Sequence, residues 1–488
     1  MKCLIACTMV QSLKVAPKPS DGQRVPLSRR VKFHRNRVLG RILLTLCLTG
    51  TTCAASPPNF IIILADDMGY GDSSVYNGWI QTPHMERMAR EGMTFSDFHS
   101  SGTVCSPTRA GLLTGRYQQR AGIPAVVNAD AELANHYCGL QPRETTFAEL
   151  LNTAGYKTAI FGKWHLGYDK KYNPTFHGFD RFRGFVSGNI DYISHFDRME
   201  TYDWWEGTRH VQEPGYLTDL LTKHAVAFIS EHREVPFCCY VPHGAVHAPI
   251  QAADSPAGRG PNKHRQPQLA RTQGETVKLM TQSLDDSIGA ILDAVNEAEI
   301  AERTFVLFFS DNGGAKHMRC DPLRGRKGTV WEGGHRVPAI AWWPETIKAG
   351  SKTDQLAISL DVMPTILDFA GVSVPGGHKL DGVSLKETLL EEKRIGPRQL
   401  FWNAQAMRDG PWKLVRSGRQ NLLFNLDEDI GETTDMAAEH GERVSAMLKA
   451  LKQWETDVET NATEQPDMKK AIAAGRARRK ATRKTEGR

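Results

Sequence analysis

Short, continuous apolar runs recur along the chain, and segments with helical periodicity lie between them. The runs are rich in β-branched and aromatic residues, which is typical of buried strands. The predicted strands are residues 59–65, 158–161, 236–241, 304–310 and 337–342. The predicted helices are residues 85–92, 146–154, 217–231, 275–299 and 362–369. This alternation predicts an α/β protein whose large mixed, mainly parallel sheet is sandwiched by helices.

The pattern changes after about Gly382. Residues 412–415 and 421–425 are typical of antiparallel strands, and residues 443–458 are typical of a closing helix. We therefore predict a smaller C-terminal subdomain with an antiparallel sheet. The predicted division is a leader at 1–56, a catalytic domain at 57–380, this subdomain at 381–462, and a basic, disordered tail at 463–488.

The positive charge of the chain is concentrated at its two ends. The formal net charge is +6, but residues 1–45 hold ten Lys or Arg and residues 468–488 hold nine. Without those ends, 42 basic residues face 53 acidic ones, so the middle of the chain carries a net charge of −11. A nucleic-acid-binding core is therefore not expected.

The N-terminal segment has the order of an export signal. Arg37 and Arg41 precede the apolar run at residues 42–48, and small residues follow. The run is too short for a transmembrane span. We expect a periplasmic or extracellular protein; a lipid anchor at Cys53 is a poor match to the sequence around that cysteine.

The cysteines that follow the leader do not suggest a disulfide framework. They are Cys105, Cys138, Cys238, Cys239 and Cys320. Their number is odd, and two of them are adjacent within an apolar run, where buried free thiols are common. One cysteine without a partner in an exported protein requires another explanation.

Polar side chains follow several predicted strands. Asp66 and Asp67 end one strand, and Asp311 and Asn312 end another. Open α/β sheets place ligands beyond the carboxyl ends of their strands, so these oxygen-bearing side chains are expected on one rim. Such a set suits a hard divalent cation. Either pair alone would equally suit a turn or a helix cap.

The segment that begins at Cys105 is typical of a helix start. Ser106 can cap the helix, Pro107 fits its first turn and Gly115 fits its end. A cysteine at a helix N-terminus has a lowered pKa and faces a site that favours anions. The residues alone thus predict a reactive thiol beside an anion pocket, or equally a capped structural helix.

The sequence Cys-Ser-Pro-Thr-Arg at residues 105–109, continued by Ala-Gly-Leu-Leu-Thr-Gly-Arg, resembles the signature of the type I sulfatases in the alkaline phosphatase superfamily. Gly-Lys-Trp-His-Leu-Gly at residues 162–167 resembles the second signature of that family. Further similar segments are 66–67, 242–249, 311–314, 326–329 and 331–334. The resemblance extends in order from Asn59 to about Trp454 and implies the alkaline phosphatase-like fold.

The resemblance implies that a maturation enzyme converts Cys105 to formylglycine. It also implies a Ca²⁺ ion held by oxygen-bearing side chains and by the modified residue. The implied metal set is Asp66, Asp67, Cys105, Asp311 and Asn312. One hydroxyl of the hydrated aldehyde, activated by Asp311 and the metal, would attack sulfur, and the other would expel sulfate.

The remaining implied roles concern charge and protons. Arg109, Lys163 and Lys327 would stabilise the charge that develops in the transition state. His165 would serve as the base in sulfate release. A histidine after the strand at 236–241 would protonate the leaving alcohol; we favour His247, because Pro249 closely follows it as the family pattern requires, over His243.

The resemblance favours a sulfatase acting on sulfated carbohydrates. A formylglycine-dependent phosphodiesterase or phosphonate monoester hydrolase is the nearest alternative. A non-catalytic binding protein on the same fold is a second one, although it would be expected to have lost at least one residue of the intact set. Substrate specificity is expected from residues 181–209, 251–273 and 316–324, and the aromatic candidates for sugar stacking are Tyr192, Trp204, Trp205, Trp331 and Trp402.

Overall fold

A computed structural model describes residues 57–261, 271–460 and 462–486 of the chain, with side chains as far as residue 476. The predicted leader, its apolar run and Cys53 lie outside the described residues, as do residues 262–270 of the predicted specificity segment 251–273. Among the helices of the described segments, none is both long and apolar enough to cross a membrane.

The strands of the larger sheet are β1 (Asn59–Ala65), β2 (Met93–Phe95), β4 (Lys157–Lys163), β5 (Arg181–Phe185), β6 (Trp205–Glu206), β7 (Arg209–His210), β8 (Phe237–Pro242), β9 (Thr304–Ser310), β10 (Ala339–Trp342) and β11 (Ser351–Thr353). Two short strands, β3 (Phe98–His99) and β12 (Ala357–Ile358), pair with each other. The last four strands are β13 (Gln399–Trp402), β14 (Ala406–Asp409), β15 (Trp412–Ser417) and β16 (Gln420–Asn425).

The helices are α1 (Pro83–Glu91), α2 (Cys105–Thr114), α3 (Phe147–Thr153), α4 (Leu217–Glu231), α5 (Gln273–Glu297), α6 (Glu332–His335), α7 (Val362–Ala370), α8 (Lys386–Glu391), α9 (Gly441–Thr460) and α10 (Pro466–Glu486). The predicted strands and helices are all present, with ends displaced by a few residues.

The larger sheet is mixed and mainly parallel at its centre, as predicted. Its order is β11-β2-β10-β9-β1-β8-β4-β5-β6-β7. Strand β1 pairs in parallel with β8 and β9, and β4 pairs in parallel with β8 and β5. Strand β10 runs antiparallel to β9. The carboxyl ends of β9, β1, β8 and β4 therefore meet on one rim.

Strand β1 shows why its apolar run is unbroken. All of its residues are buried. Phe60, Ile62 and Leu64 belong to the apolar core on one face of the sheet, whereas Ile61 and Ile63 belong to the core on the other. A strand covered on both faces needs apolar residues at every position. Helices α4 and α5 pack against each other on the second face.

The C-terminal sheet is antiparallel in the order β13-β14-β15-β16. Helix α9 covers it, and together they enclose a third apolar core that includes Leu414, Leu451 and Trp454. Trp402 joins this core to the segment before α2, since its indole Nε1 donates a hydrogen bond of 2.9 Å to the carbonyl of Ser100.

The expectation of a disordered tail needs correction, because Pro466–Glu486 forms helix α10. Its start is fixed by an ion pair between Asp467 and Lys171. Just before it, the Gln465 Oε1 accepts a hydrogen bond of 2.8 Å from the Gln141 Nε2. The tail is rich in Ala, Lys and Arg, which have high helix propensity, and its charge alone suggested disorder.

Candidate active site

Helix α2 begins at Cys105 and ends before Gly115, whose φ of +62° places it in the left-handed region. Ser106 is not the cap that the sequence suggested. Val104 holds the cap position without a side-chain hydrogen bond, and Ser106 lies inside the helix. The Ser106 Oγ instead accepts a 3.1 Å hydrogen bond from the backbone N–H of Val127, which anchors another segment of the pocket wall.

The two predicted acidic pairs come together at the rim. Ala65 at the end of β1 is paired with Ser310 at the end of β9, so the residues that follow both strands are neighbours. The backbone N–H of Asp67 lies 3.3 Å from the Asp311 Oδ1. Asp67 has a φ of +66°, which directs the chain sharply away from the strand.

Asp66 connects the helix with strand β4. The Cys105 Sγ lies 3.4 Å from the Asp66 Oδ1. The Lys163 Nζ, at the end of β4, lies 2.6 Å from the Asp66 Oδ2, and both side chains are fully buried. The thiol thus faces a carboxylate that is already ion-paired.

Asp67 is the centre of a second cluster. Its Oδ1 accepts hydrogen bonds from the Lys327 Nζ at 2.5 Å and from the Asn312 Nδ2 at 2.8 Å. The His247 Nε2 lies 3.6 Å from its Oδ2. Lys327 also contacts the Cys105 Sγ at 3.4 Å. Lys327 therefore bridges the acidic rim and the helix start.

Arg109 forms the third ion pair. Its Nε and terminal nitrogen lie 3.1 and 2.8 Å from the Asp311 Oδ2, and a further N–H donates to the carbonyl of Lys163 at 2.9 Å. Arg109 has 1% of its surface exposed. Three carboxylates, those of Asp66, Asp67 and Asp311, therefore face three cations.

These neighbours shift the pKa values of the groups in the site. Burial raises the pKa of Asp67, but the positive charge of Lys327 and contact with His247 outweigh it, and the pKa lies well below its usual value. Burial and the nearby Asp66 raise the pKa of Asp311. Burial lowers the pKa of Lys327, but Asp67 and Cys105 more than reverse this effect.

The thiol of Cys105 differs from the sequence expectation. Burial, followed by the charge of Asp66, raises its pKa to about 12, although Lys163 and Lys327 act in the opposite sense. The helix N-terminus is outweighed because the side chain is enclosed and faces a carboxylate. The prediction of a low-pKa, reactive thiol is wrong for the unmodified residue.

The three candidate histidines occupy different environments. His165 has a φ of +56° and its Nε2 lies 2.9 Å from the carbonyl of Val127. His247 follows β8 with its Nδ1 2.6 Å from the carbonyl of Ala248, and its side chain is 18% exposed. His243 is fully buried, with its Nε2 3.1 Å from the Ser287 Oγ.

Burial lowers the pKa of each of these histidines. It brings the pKa of His243 to about 3. It brings that of His247 to about 4, against the opposing charge of Asp67. The pKa of His165 lies well below its usual value because of burial and of the charges on Lys163 and Arg109. All three are neutral in the free protein at neutral pH.

The rim has the donor set of a cation site. One ligand atom from each of Asp66, Asp67, Cys105 and His247 lies within 4.8 Å of the others. Asn312 supplies an independent observation. Its Nδ2 donates to Asp67 and to the carbonyl of Gly313, whereas its buried Oδ1 has no hydrogen-bond partner within the described residues. A buried amide oxygen without a donor suits a ligand to a hard cation.

A cavity of about 200 Å³ opens onto this cluster. Among its lining residues are four that the sequence analysis singled out, namely Cys105, His165, His247 and Lys327. The other lining residues are Val126, Val127, Asn128, Ala129, Tyr168, Gly188, Asn189 and Arg198. No motif marked those positions, although Gly188, Asn189 and Arg198 lie within the segment 181–209 that was expected to confer specificity.

Several other sequence candidates are structural. Trp204 and Trp402 have 0% and Tyr192 has 1% of their surface exposed, so they cannot stack on a sugar. The described cysteines, Cys105, Cys138, Cys238, Cys239 and Cys320, are buried free thiols.

Comparisons with known proteins agree with this site. The family model described as Sulfatase matches residues 58–372. The chain is 35% identical over 378 residues to N-acetylgalactosamine-6-sulfatase of Homo sapiens, which covers 72% of this chain and 69% of the human protein. It is 30% identical over 495 residues to arylsulfatase G of Rattus norvegicus, which covers 85% of this chain and 89% of that protein.

Solved structures share the fold. The crystal structure of Ps i-CgsB superposes with a TM-score of 0.75 at 27% identity and covers 84% of this chain and 95% of that one. Its complex with k-i-k-neocarrahexaose superposes with a TM-score of 0.74 at 26% identity, over 83% of this chain and 94% of that one. The family model and these relatives together establish that the chain belongs to the sulfatase family and is a sulfuric ester hydrolase.

Proposed function

We propose that this protein hydrolyses sulfate esters of carbohydrates with formylglycine, made from Cys105, as nucleophile and Ca²⁺ as resident metal. The observation that carries the proposal is the position of Cys105. It lies at the buried end of the cavity, within 3.4 Å of both the Asp66 Oδ1 and the Lys327 Nζ. The maturation enzyme that reads the Cys-Ser-Pro-Thr-Arg segment is the partner that this proposal requires.

The hydrate of formylglycine would supply two hydroxyls on one carbon, one to accept the sulfuryl group and one to release it. Lys163 and Lys327 are held beside this position by Asp66 and Asp67. Their ammonium groups would stabilise the negative charge that develops on the sulfuryl oxygens. Because both lysines are already oriented, little reorganisation accompanies the reaction.

His165 is oriented to accept a proton. Its Nε2 faces the carbonyl of Val127, which can only accept a hydrogen bond, so Nε2 carries the hydrogen. The Nδ1 consequently carries no hydrogen, and it is buried without a hydrogen-bond partner within the described residues. His165 would take a proton at Nδ1 while sulfate is released.

His247 suits the role of proton donor better than His243. His247 lines the cavity, whereas His243 is buried against Ser287 and is not among the lining residues. The Nδ1 of His247 donates to the carbonyl of Ala248, so protonation occurs at Nε2. The charge of a bound sulfate ester would favour that protonated form, and Nε2–H would then donate to the leaving oxygen.

Asp66, Asp67, Asp311 and Asn312 would hold the calcium ion, which would polarise a sulfate oxygen. The charges of the site support this assignment. Three carboxylates already face three cations, so a divalent cation would leave the site with an excess of positive charge. That excess suits an anionic sulfate ester.

Two relatives support a carbohydrate substrate. One is named N-acetylgalactosamine-6-sulfatase, and Ps i-CgsB is described in complex with k-i-k-neocarrahexaose. The chain also carries the predicted export signal at residues 1–56, which would place the enzyme where extracellular polysaccharides occur.

Mass spectrometry of the peptide that contains Cys105 tests the nucleophile directly. We expect the mass of formylglycine in active protein. Cys105→Ala should abolish turnover of aryl sulfate, whereas the matched variant Cys138→Ala, which changes another buried thiol, should retain it. Unmodified Cys105 in fully active protein would refute the mechanism. Parallel turnover of an aryl phosphate diester tests the phosphodiesterase alternative, which a clear preference for the diester would establish.

A further inference from the structure

Arg198 differs from the other charged residues of the cavity. It is exposed, whereas Cys105 is buried, so the cavity extends from the reacting residue to Arg198 at its mouth. The lining residues include Arg198 and Lys327 but no Asp or Glu. Lys327 is paired with Asp67. Within the described residues, no carboxylate lies within ion-pair distance of Arg198.

Arg198 lies in a turn that several hydrogen bonds stabilise. The backbone N–H of Glu200 donates to the carbonyl of Asp197 at 3.1 Å, and that of Asp197 donates to the carbonyl of Thr201 at 2.8 Å. The Asp197 Oδ1 accepts from the backbone N–H groups of Met199 and Thr201 at 2.8 and 2.9 Å. Asp197 is therefore engaged in holding the turn, and the position of Arg198 is fixed by backbone hydrogen bonds.

The guanidinium of Arg198 reaches across the mouth of the cavity. Its contact there is with a neutral group, the Oδ1 of Asn128, which also accepts from the backbone N–H of Asp130 at 3.0 Å. A second guanidinium stands close by: Arg259 donates to the Oδ1 of Asn189, another lining residue, at 2.7 Å. Two guanidinium groups thus lie near the mouth of the cavity. Arg259 has carboxylates close to it, including that of Asp191, whereas Arg198 contacts a neutral amide.

An arginine without an ion pair at the mouth of a cavity can bind an anionic group of a ligand. A guanidinium presents several N–H donors in a planar fork that matches a carboxylate or a sulfate. The scissile sulfate lies at the other end of the cavity, beside Cys105 and Lys327, in the proposed reaction. Arg198 is therefore available for a different anionic group on the same substrate.

We infer that Arg198 is a specificity residue that binds a second anionic group of the saccharide, either a carboxylate or another sulfate. The favoured substrate would then be a polyanionic saccharide rather than one that carries a single sulfate. This inference rests on the proposed sulfatase activity and refines its substrate class.

The test compares kcat/KM for four substrates. One is an aryl sulfate, and the second is a disaccharide whose only charged group is one sulfate. The other two are that disaccharide with an added uronate carboxylate and that disaccharide with a second sulfate. The wild-type enzyme should prefer one or both of the doubly charged disaccharides, and which of them it prefers identifies the anion. The preference should weaken as ionic strength rises, since Arg198 is exposed.

Arg198→Gln should lower kcat/KM for the preferred substrate about tenfold, mainly through KM, and so remove the preference. Arg198→Lys keeps the charge but not the fork and should be intermediate. Arg419→Gln, in the exposed turn between β15 and β16, is the matched control and should behave as wild type.

Two outcomes would overturn the inference: a wild-type enzyme without preference for doubly charged saccharides, or an Arg198→Gln variant that loses activity equally on all four substrates. The second outcome would mean that Arg198 binds the scissile sulfate itself. Failure of the wild-type enzyme on every sulfate ester, including aryl sulfate, would instead refute the proposed function on which the inference rests.

Discussion

Lys413 gives the sharpest test of how the C-terminal sheet is joined to the catalytic part of the chain. It lies in β15 and is fully buried. Its Nζ lies 2.9 Å from the Glu332 Oε1 and 2.8 Å from the Glu432 Oε1. Glu332 begins helix α6, which closely follows Lys327. Replacing Lys413 by Met therefore removes a cation shared by two buried carboxylates.

The two carboxylates will not respond alike. Glu332 keeps two other cations, because Arg336 and Arg408 lie 3.3 and 3.4 Å from its Oε2. Burial raises its pKa, but Lys413 and Arg408 bring it well below the usual value. Burial raises the pKa of Glu432 more than Lys413 lowers it, and the charge of Glu332 adds to the rise, so that its pKa stays above its usual value. Loss of Lys413 should therefore protonate Glu432.

That protonation sets the size of the effect. A carboxyl group with the ordinary pKa of 4.5 is ionised at pH 7, and protonating it there costs about 3 kcal/mol, since each unit between pKa and pH is worth ~1.4 kcal/mol. Breaking a buried ion pair from one side costs ~3–5 kcal/mol, which agrees. We expect Lys413→Met to lower the free energy of unfolding by about 3 kcal/mol at pH 7.

The effect should depend on pH. A Glu432 whose folded-state pKa is raised binds its proton more tightly in the folded than in the unfolded protein, so stability is present at low pH and is lost as pH rises towards the folded pKa. Lys413→Met raises that pKa further. The deficit relative to wild type should thus grow by at most ~1.4 kcal/mol per pH unit between about pH 5 and 7.

Urea unfolding at several pH values, followed by tryptophan fluorescence, measures this deficit. Adding Glu432→Gln to Lys413→Met should remove most of the pH dependence and recover part of the stability, because no ionisable carboxyl is left without its cation. A Lys413→Met variant as stable as wild type, or one whose deficit shrinks as pH rises, would refute the reasoning.

Three further predictions concern the site and its support. His247→Gln should lower kcat on sugar sulfates by about 10²- to 10⁴-fold and on aryl sulfates much less, since a phenolate leaves without a proton. His243→Gln should lower stability without that dependence on the leaving group. Equal losses of kcat on both substrate types in His247→Gln would contradict the assignment. Asn312→Ala should weaken calcium binding, measured as a smaller rise of Tm on adding Ca²⁺ to chelator-treated protein; an unchanged rise would remove Asn312 from the ligand set. Gly162→Ala should strongly destabilise the protein, because Gly162 has a φ of +139° and an added Cβ would lie 1.9 Å from the carbonyl oxygen of Pro242. Gly396→Ala, with open space around it, should not. Equal Tm values for the two variants would contradict the close approach of β4 and β8.

Local sequence determined most of the framework. The unbroken apolar run of β1 requires burial on both faces, and this predicted a central parallel strand. The same reasoning placed Asp66 and Asp311 on one rim, since residues that follow neighbouring parallel strands are close in space. The cysteine motif and the resemblance then predicted the family, because its chemistry depends on a short continuous segment.

Tertiary structure alone decided what depends on the surroundings of a group. Sequence predicted a lowered pKa for Cys105 from the helix N-terminus, but enclosure and the Asp66 carboxylate raise it. Sequence favoured His247 over His243 only through the family pattern, whereas the structure gives the physical difference between them, which is exposure to the cavity or burial against Ser287. The prediction from sequence included Arg198 in the specificity segment 181–209 but could not single it out, because the absence of an ion pair depends on which carboxylates lie near the guanidinium in space. Electrostatics and solvation act through space between segments far apart in the chain, and local patterns carry no record of them.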